Sequence, residues 1–331
     1  MKKIINAPEK ALPEALEGFT TCHGHMVRYD AAARTVLRRE RKKDGRVALV
    51  SGGGSGHEPM HIGYVGRGML DAACTGQIFT SPTPDQMLAA ADAVETGGGV
   101  IFIVKNYAGD IMNFEMAVEM HHGRAMIVIT DDDVALENSM CASGQGNRGV
   151  AGTLVVEKIA GAAAERGYGI DRCVEIAQQT NAATGSMAVA LSSCVVPAAG
   201  TPNFLLGEDE MELGVGIHGE AGRERIKARS ADDLAELFVD SILERIGTAK
   251  DDPLLLMCNG LGGSPPIELY ILYNSARKIL TSRGYRVERS LIGTFCSALE
   301  MAGASITLTK LDMGLLNLWD DPVETPVLRW A

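Results

Sequence analysis

Four side chains in this sequence stand in settings where they could do chemistry: His57, Lys105, Asp110 and His218. His57 closes the run Ser51-Gly52-Gly53-Gly54-Ser55-Gly56-His57-Glu58-Pro59, directly after the apolar stretch Val47 to Val50. A glycine-rich turn behind a strand can wrap a phosphate with its amide N–H groups, aided by the dipole of a following helix. Here the Gly-Lys-Ser/Thr ending of a nucleotide loop is missing, and the glycine spacing meets Gly-x-Gly-x-x-Gly only loosely. That leaves a histidine at a strand end as the reactive candidate. Lys105-Asn106-Tyr107-Ala108-Gly109-Asp110 follows a second apolar run, Val100 to Val104, and Asp131-Asp132-Asp133 follows a third, Met126 to Thr130. In an open parallel sheet, ligands sit beyond the carboxyl ends of the strands. All three polar clusters should share that edge, where an imidazole, an ammonium and carboxylates form an acid/base site. The aspartate run could equally cap the next helix. His218 lies in Glu212-Leu213-Gly214-Val215-Gly216-Ile217-His218-Gly219-Glu220, whose alternation reads as a strand. Glycines around it leave the imidazole uncrowded for close approach; a satisfied core histidine is the competing reading.

The elements that must position these residues are legible from periodicity. Short β-branched runs bounded by glycine or charge alternate with helical stretches through the first half. Thr83 to Val94 carries a Thr cap, a first-turn proline and a glycine stop, and Val150 to Arg166 is an alanine-rich helix. The pattern restarts after Pro197-Ala198-Ala199-Gly200-Thr201-Pro202. A helix begins at Ser230, a strand spans Leu254 to Cys258, a long helix runs from Pro266 to Ser282, and strands follow at Arg286 to Ile292 and Ser305 to Lys310. The expectation is an α/β protein of two domains, each a mostly parallel or mixed sheet flanked by helices. Residues 1–196 form the first domain; residues 197–331 form a smaller second, with His218 near its start.

Composition narrows the function classes. The 331 residues are 46 % hydrophobic and 22 % charged, with a net charge of −11. That charge disfavours nucleic acid and anionic membranes, which call for basic patches. No window approaches a membrane span, and no signal-peptide pattern opens the sequence, so a cytoplasmic protein is expected. Seven cysteines without a secretion signal read as reduced thiols. Cys22-His23-Gly24-His25 has no second pair at zinc-site spacing, so no metal site is expected. His121-His122 is read as solvent-facing.

Taken together, the run Ser51 to Pro59, Phe79-Thr80-Ser81-Pro82-Thr83-Pro84, Lys105 to Asp110, Asn113-Phe114-Glu115 and Gly214 to Glu220 resemble, in order and spacing, the substrate-binding subunits of dihydroxyacetone kinases. The resemblance covers essentially the whole chain. It implies a homodimer that binds dihydroxyacetone as a hemiaminal on His218. It also implies that Gly54, Ser55, Gly56, His57, Lys105 and Asp110 surround the substrate. On this reading His57 assists the adduct by proton transfer or hydrogen bonding, Asp110 takes the proton of the attacking hydroxyl, and Lys105 positions and polarises. No cofactor is expected on this chain. ADP and magnesium would sit on a separate DhaL subunit, recharged by DhaM from the phosphoenolpyruvate phosphotransferase system. The alternative is a ketone-sensing regulatory paralogue acting as a transcriptional coactivator, which needs the covalent histidine but not the base. A stand-alone dinucleotide enzyme is disfavoured by the poor glycine fingerprint.

Overall fold

Central strands buried on both faces build this molecule, every residue of Ala48–Ser55, Val100–Lys105 and Pro253–Gly260 being buried. In a computed structural model describing residues 2–135 and 146–331, the chain forms α1 (Ala11–Cys22), β1 (Val27–Asp30), β2 (Thr35–Arg38), β3 (Ala48–Ser55), β4 (Ala72–Ile78), α2 (Pro84–Val94), β5 (Val100–Lys105), α3 (Ala108–Met120) and β6 (Ala125–Thr130). It continues through α4 (Thr153–Arg166), α5 (Ile170–Ala182), β7 (Thr184–Ala190), β8 (Glu210–Leu213), β9 (Glu224–Lys227), α6 (Ala231–Ile246), β10 (Pro253–Gly260), α7 (Pro266–Ser282), β11 (Arg286–Gly293), β12 (Gly303–Lys310), α8 (Met313–Trp319), β13 (Val323–Glu324) and β14 (Arg329–Trp330). One mixed sheet runs β1-β2-β4-β3-β5-β6, with β4, β3, β5 and β6 parallel. The other runs β11-β10-β12-β7-β8-β9, where only β10 and β11 are parallel.

Successive side chains of a strand face opposite ways. Ala48, Val50, Phe102 and Val104 therefore pack with Met87, Ala90, Phe114 and Ala117 of α2 and α3. Leu49, Ile101 and Ile103 pack on the other side with Leu154, Val155 and Ile159 of α4. Leu255 and Met257 of β10 join that same cluster, while Leu254, Leu256 and Cys258 turn toward α6 and α7. A shared apolar core thus joins the two sheets. The helix starts follow their sequence signals: Gln86 Oε1 accepts from the Thr83 amide at 3.0 Å, and Ser230 Oγ accepts from the Asp233 amide at 3.2 Å.

Four local readings change. The glycine run is not a loop after the strand but its continuation, since β3 extends to Ser55 and Gly52, Gly53 and Gly54 pair with Cys74, Thr75 and Gly76. Glycine is required there because the neighbouring β4 and the Phe79-Thr80 turn approach too closely for a Cβ, which would lie 2.6 Å from the Cys74 carbonyl at Gly52 and 2.5 Å from the Thr80 nitrogen at Gly54. The His218 segment is a turn, not a strand: β8 ends at Leu213, and Gly214 and Gly219 take positive φ of 73° and 74°. The Pro197–Pro202 stretch falls between β7 and β8, inside the second sheet, because β7 pairs with β12. His121 is not solvent-facing, since its ring folds back to Asp92 with Nδ1 3.2 Å from Oδ1, whereas His122 is exposed.

Candidate active site

The end of β3 and the loops of the second sheet meet at His57. The Leu299 amide donates to the Gly56 carbonyl at 2.9 Å, and Ser297 Oγ donates to the Glu58 carbonyl at 2.9 Å. The Ser297 segment is held in turn by Asn259 at the end of β10, whose Oδ1 accepts from the Phe295 and Cys296 amides at 2.8 and 2.9 Å. Gly56 takes a φ of +102°, and a Cβ there would lie 2.8 Å from the Phe79 ring. Ser55 Oγ is committed to the Gly76 carbonyl at 2.8 Å. The Gly56 N–H donates to the Glu58 carboxylate at 2.9 Å. An anion from the chain itself therefore occupies the place where a phosphate cradle would need a free amide.

His57 is buried, and its Nδ1 lies 2.9 Å from the Ser297 carbonyl. A carbonyl only accepts, so Nδ1 carries the proton and Nε2 keeps its lone pair. Nε2 is buried without a hydrogen-bond partner among the described residues. Burial, then the neighbouring His218 and Lys105, hold this imidazole well below its ordinary pKa, so it is neutral. The ring stacks on Phe79 at 5.0 Å and meets His218 edge-on at 4.7 Å. Phe79 and Tyr107 wall His218 at 5.3 and 4.7 Å.

His218 is oriented by its own turn. Asn203 Nδ2 donates to its carbonyl at 2.7 Å, and its amide donates to Glu220 Oε2 at 2.8 Å. Its Nδ1 faces Glu220 Oε1 at 3.7 Å. Burial works to raise the Glu220 carboxyl, but His218 and Arg148 outweigh it and hold it at about 2. A carboxylate facing Nδ1 leaves Nε2 as the nucleophilic nitrogen. Arg148 also bonds Asp133 and donates to the Gly214 carbonyl at 2.6 Å, tying the turn to the first sheet.

Lys105, at the end of β5, and Asp110, in the first turn of α3, are both buried with Nζ to Oδ2 at 4.0 Å. The ammonium donates to the Gly52 carbonyl at 3.3 Å and sits 2.7 Å from His61 Nε2. Gly53 makes this possible, because a Cβ there would lie 2.5 Å from Nζ. His57, His218, Lys105 and Asp110 thus gather at one seam. The aspartate triplet does not join them: Asp132 accepts from the Val150 and Gly152 amides ahead of α4, and Asp133 pairs with Arg148. Sequence reading missed His61, Glu157, Arg148 and Glu220. Three left a trace: His61 stands four residues after His57, Glu157 interrupts an alanine-rich apolar helix, and Glu220 closes the glycine-rich segment around His218.

A neutral imidazole lone pair beside a second, oriented imidazole, with an ammonium and a carboxylate at hand, can add to a carbonyl and deprotonate a hydroxyl. A model of the Dak1 domain matches residues 17–327. The chain is 43 % identical, over all of both chains, to the dihydroxyacetone-binding subunit DhaK of the PEP-dependent dihydroxyacetone kinase of Escherichia coli (strain K12). Among solved structures, the dihydroxyacetone kinase from C. freundii in complex with AMP-PNP and Mg2+ superposes with a TM-score of 0.90 at 34 % identity, over 99 % of this chain and 61 % of that one. The dihydroxyacetone kinase operon co-activator Dha-DhaQ superposes at 0.87 with 31 % identity, over 93 % of this chain and 95 % of that one.

Proposed function

This chain belongs to the Dak1 family, and on that premise we propose that it is the dihydroxyacetone-binding subunit of a phosphoenolpyruvate-dependent dihydroxyacetone kinase. It is a phosphotransferase subunit. The observation that carries the mechanism is the neutral, unpartnered Nε2 of His57 set against His218, whose Nδ1 faces Glu220. The His218 Nε2 lone pair adds to the ketone carbon and the carbonyl π pair moves to oxygen. The oxygen gains a proton and the imidazole gives up its Nδ1 proton, so the hemiaminal is neutral. Its hydroxyl can donate to His57 Nε2. Glycerol, with no electrophilic carbon, is excluded by chemistry rather than by shape. With the ketone anchored, Asp110 takes the proton of the terminal hydroxyl as it attacks phosphorus, and Lys105 orients the hydroxyls. Gly54, Ser55 and Gly56 form the substrate-facing edge.

The phosphoryl group would come from a separate DhaL subunit, whose magnesium-bound ADP DhaM would first convert to ATP at the expense of phosphoenolpyruvate, and this chain works as a cytoplasmic homodimer. No helix among the described residues is long and apolar enough to cross a membrane. The solved co-activator shares the fold, so fold alone does not separate catalysis from ketone sensing; retention of Asp110 as a buried base favours catalysis. Dihydroxyacetone labelled with carbon-13 at the carbonyl should give a tetrahedral carbon signal with the wild-type chain and none with His218→Ala. A free, planar ketone beside an unmodified His218 would overturn the covalent assignment.

A further inference from the structure

Glu157 carries a fully buried carboxyl group with no place in that reaction. It sits in the middle of α4 among Leu154, Val155, Val156 and Ile159, all core residues. Its Oε1 lies 2.6 Å from His61 Nδ1, and Oε2 has no hydrogen-bond partner among the described residues. A group this costly to bury needs a reason other than stability.

The donor and acceptor pattern supplies one. Lys105 Nζ lies 2.7 Å from His61 Nε2. An ammonium has only donors, so Nε2 must accept, and a neutral imidazole then carries its proton on Nδ1. Two acceptors face that proton. One is Glu157 Oε1; the other is Ser51 Oγ at 3.1 Å, whose own proton is spent on the Ile103 carbonyl at 2.7 Å. Burial, then the Lys105 charge, keeps His61 neutral, in agreement with this arrangement. The chain therefore runs one way, from Lys105 through His61 to Glu157. One ammonium proton goes to His61 and one toward the Gly52 carbonyl, which leaves the third for Asp110, whose Oδ2 stands 4.0 Å from Nζ.

We propose that His61 and Glu157 are positioning residues for Lys105: the Glu157 Oε1 acceptor fixes the His61 tautomer, and the Nε2 lone pair so left available holds the ammonium in the orientation that serves Asp110 and the ketone hydroxyls. The proposal rests on the functional reading above, and its tests separate the two. His61→Gln keeps an acceptor near the Nε2 position, whereas His61→Leu removes it. Turnover at saturating dihydroxyacetone with the nucleotide-bearing partner should fall at least thirtyfold in His61→Leu and stay within fivefold in His61→Gln. The carbon-13 adduct signal at His218 should persist in both. Turnover of His61→Leu within threefold of wild type overturns the proposal, as does equal impairment of the two variants, or loss of the adduct in a folded variant. A measurement on the wild-type chain needs no variant to fold: nitrogen-15 NMR of histidine-labelled protein should show His61 protonated at Nδ1 and bare at Nε2. The opposite tautomer also overturns it. If wild-type protein forms no adduct, the functional reading fails while the tautomer result still decides the His61 assignment.

Discussion

A carboxylate in the first turn of a helix, 4.0 Å from a buried ammonium, can act as an anchor or as a base. Asp110→Asn separates the two roles, because it keeps the volume and removes the basicity. The adduct should form normally while kcat falls by about a hundredfold or more, the usual size of a lost general base. Turnover within about threefold, under 1 kcal/mol of barrier, would reassign Asp110 to binding. Glu157 gives a pH test at the same scale. Burial pushes its carboxyl from an ordinary 4.5 to about 8, so the folded protein holds a proton that the unfolded chain releases. The stability drawn from that proton is complete below about pH 4.5 and drains away as pH rises toward 8. Wild type should therefore lose stability relative to Glu157→Gln as pH rises through this window, by up to about 1.4 kcal/mol per pH unit. Urea unfolding of both proteins at pH 6 and pH 8 measures it, and an unchanged difference would mean that Glu157 titrates as an ordinary carboxyl.

At the scale of the element, β3 carries two adjacent glycines that are glycine for different reasons. A Cβ on Gly52 would press on the Cys74 backbone at 2.6 Å and its side chain at 2.9 Å, neither of which can yield without moving β4. A Cβ on Gly53 would meet the tip of Lys105 at 2.5 Å, the far end of a flexible side chain. Gly52→Ala should therefore cost about 1–3 kcal/mol of stability as an overpacked core does. Gly53→Ala should leave stability within about 1 kcal/mol of wild type yet depress turnover by displacing the ammonium. Thermal unfolding and kcat on the two variants should separate these outcomes; the same profile in both would show that one constraint governs the whole run.

At the scale of the molecule, neither sheet holds the site alone. β5 of the first sheet and the turn that follows its β3 supply Lys105 and His57, while loops of the second sheet supply His218 and the Ser297 carbonyl that sets the His57 tautomer. The glycine amides that might have bound phosphate lie in the β3–β4 ladder or against Glu58. Calorimetry should therefore detect no ATP binding to this chain alone, and ketone phosphorylation should require the nucleotide-bearing partner. Saturable ATP binding would restore the glycine run as a phosphate site.

Local pattern and side-chain chemistry were enough to read the alternating strands and helices, the Thr83 and Ser230 helix starts, and the grouping of His57, Lys105 and Asp110 at strand ends, because each depends on neighbours within a few residues. They could not show that Gly52 to Gly54 continue β3, since strand or loop was decided by how closely β4 and the Phe79-Thr80 turn approach. Nor could they show that Thr184–Ala190 belongs to the second sheet, because its pairing partner β12 lies more than a hundred residues away. The site divides along the same line. Reactive types announce themselves by residue and context, but the protonation of His57 and the His61–Glu157 support depend on acceptors contributed by distant segments: Ser297 is 240 residues from His57, and Glu157 is 96 from His61. Tautomer and charge are set by burial and by those partners, and only the folded chain brings them together.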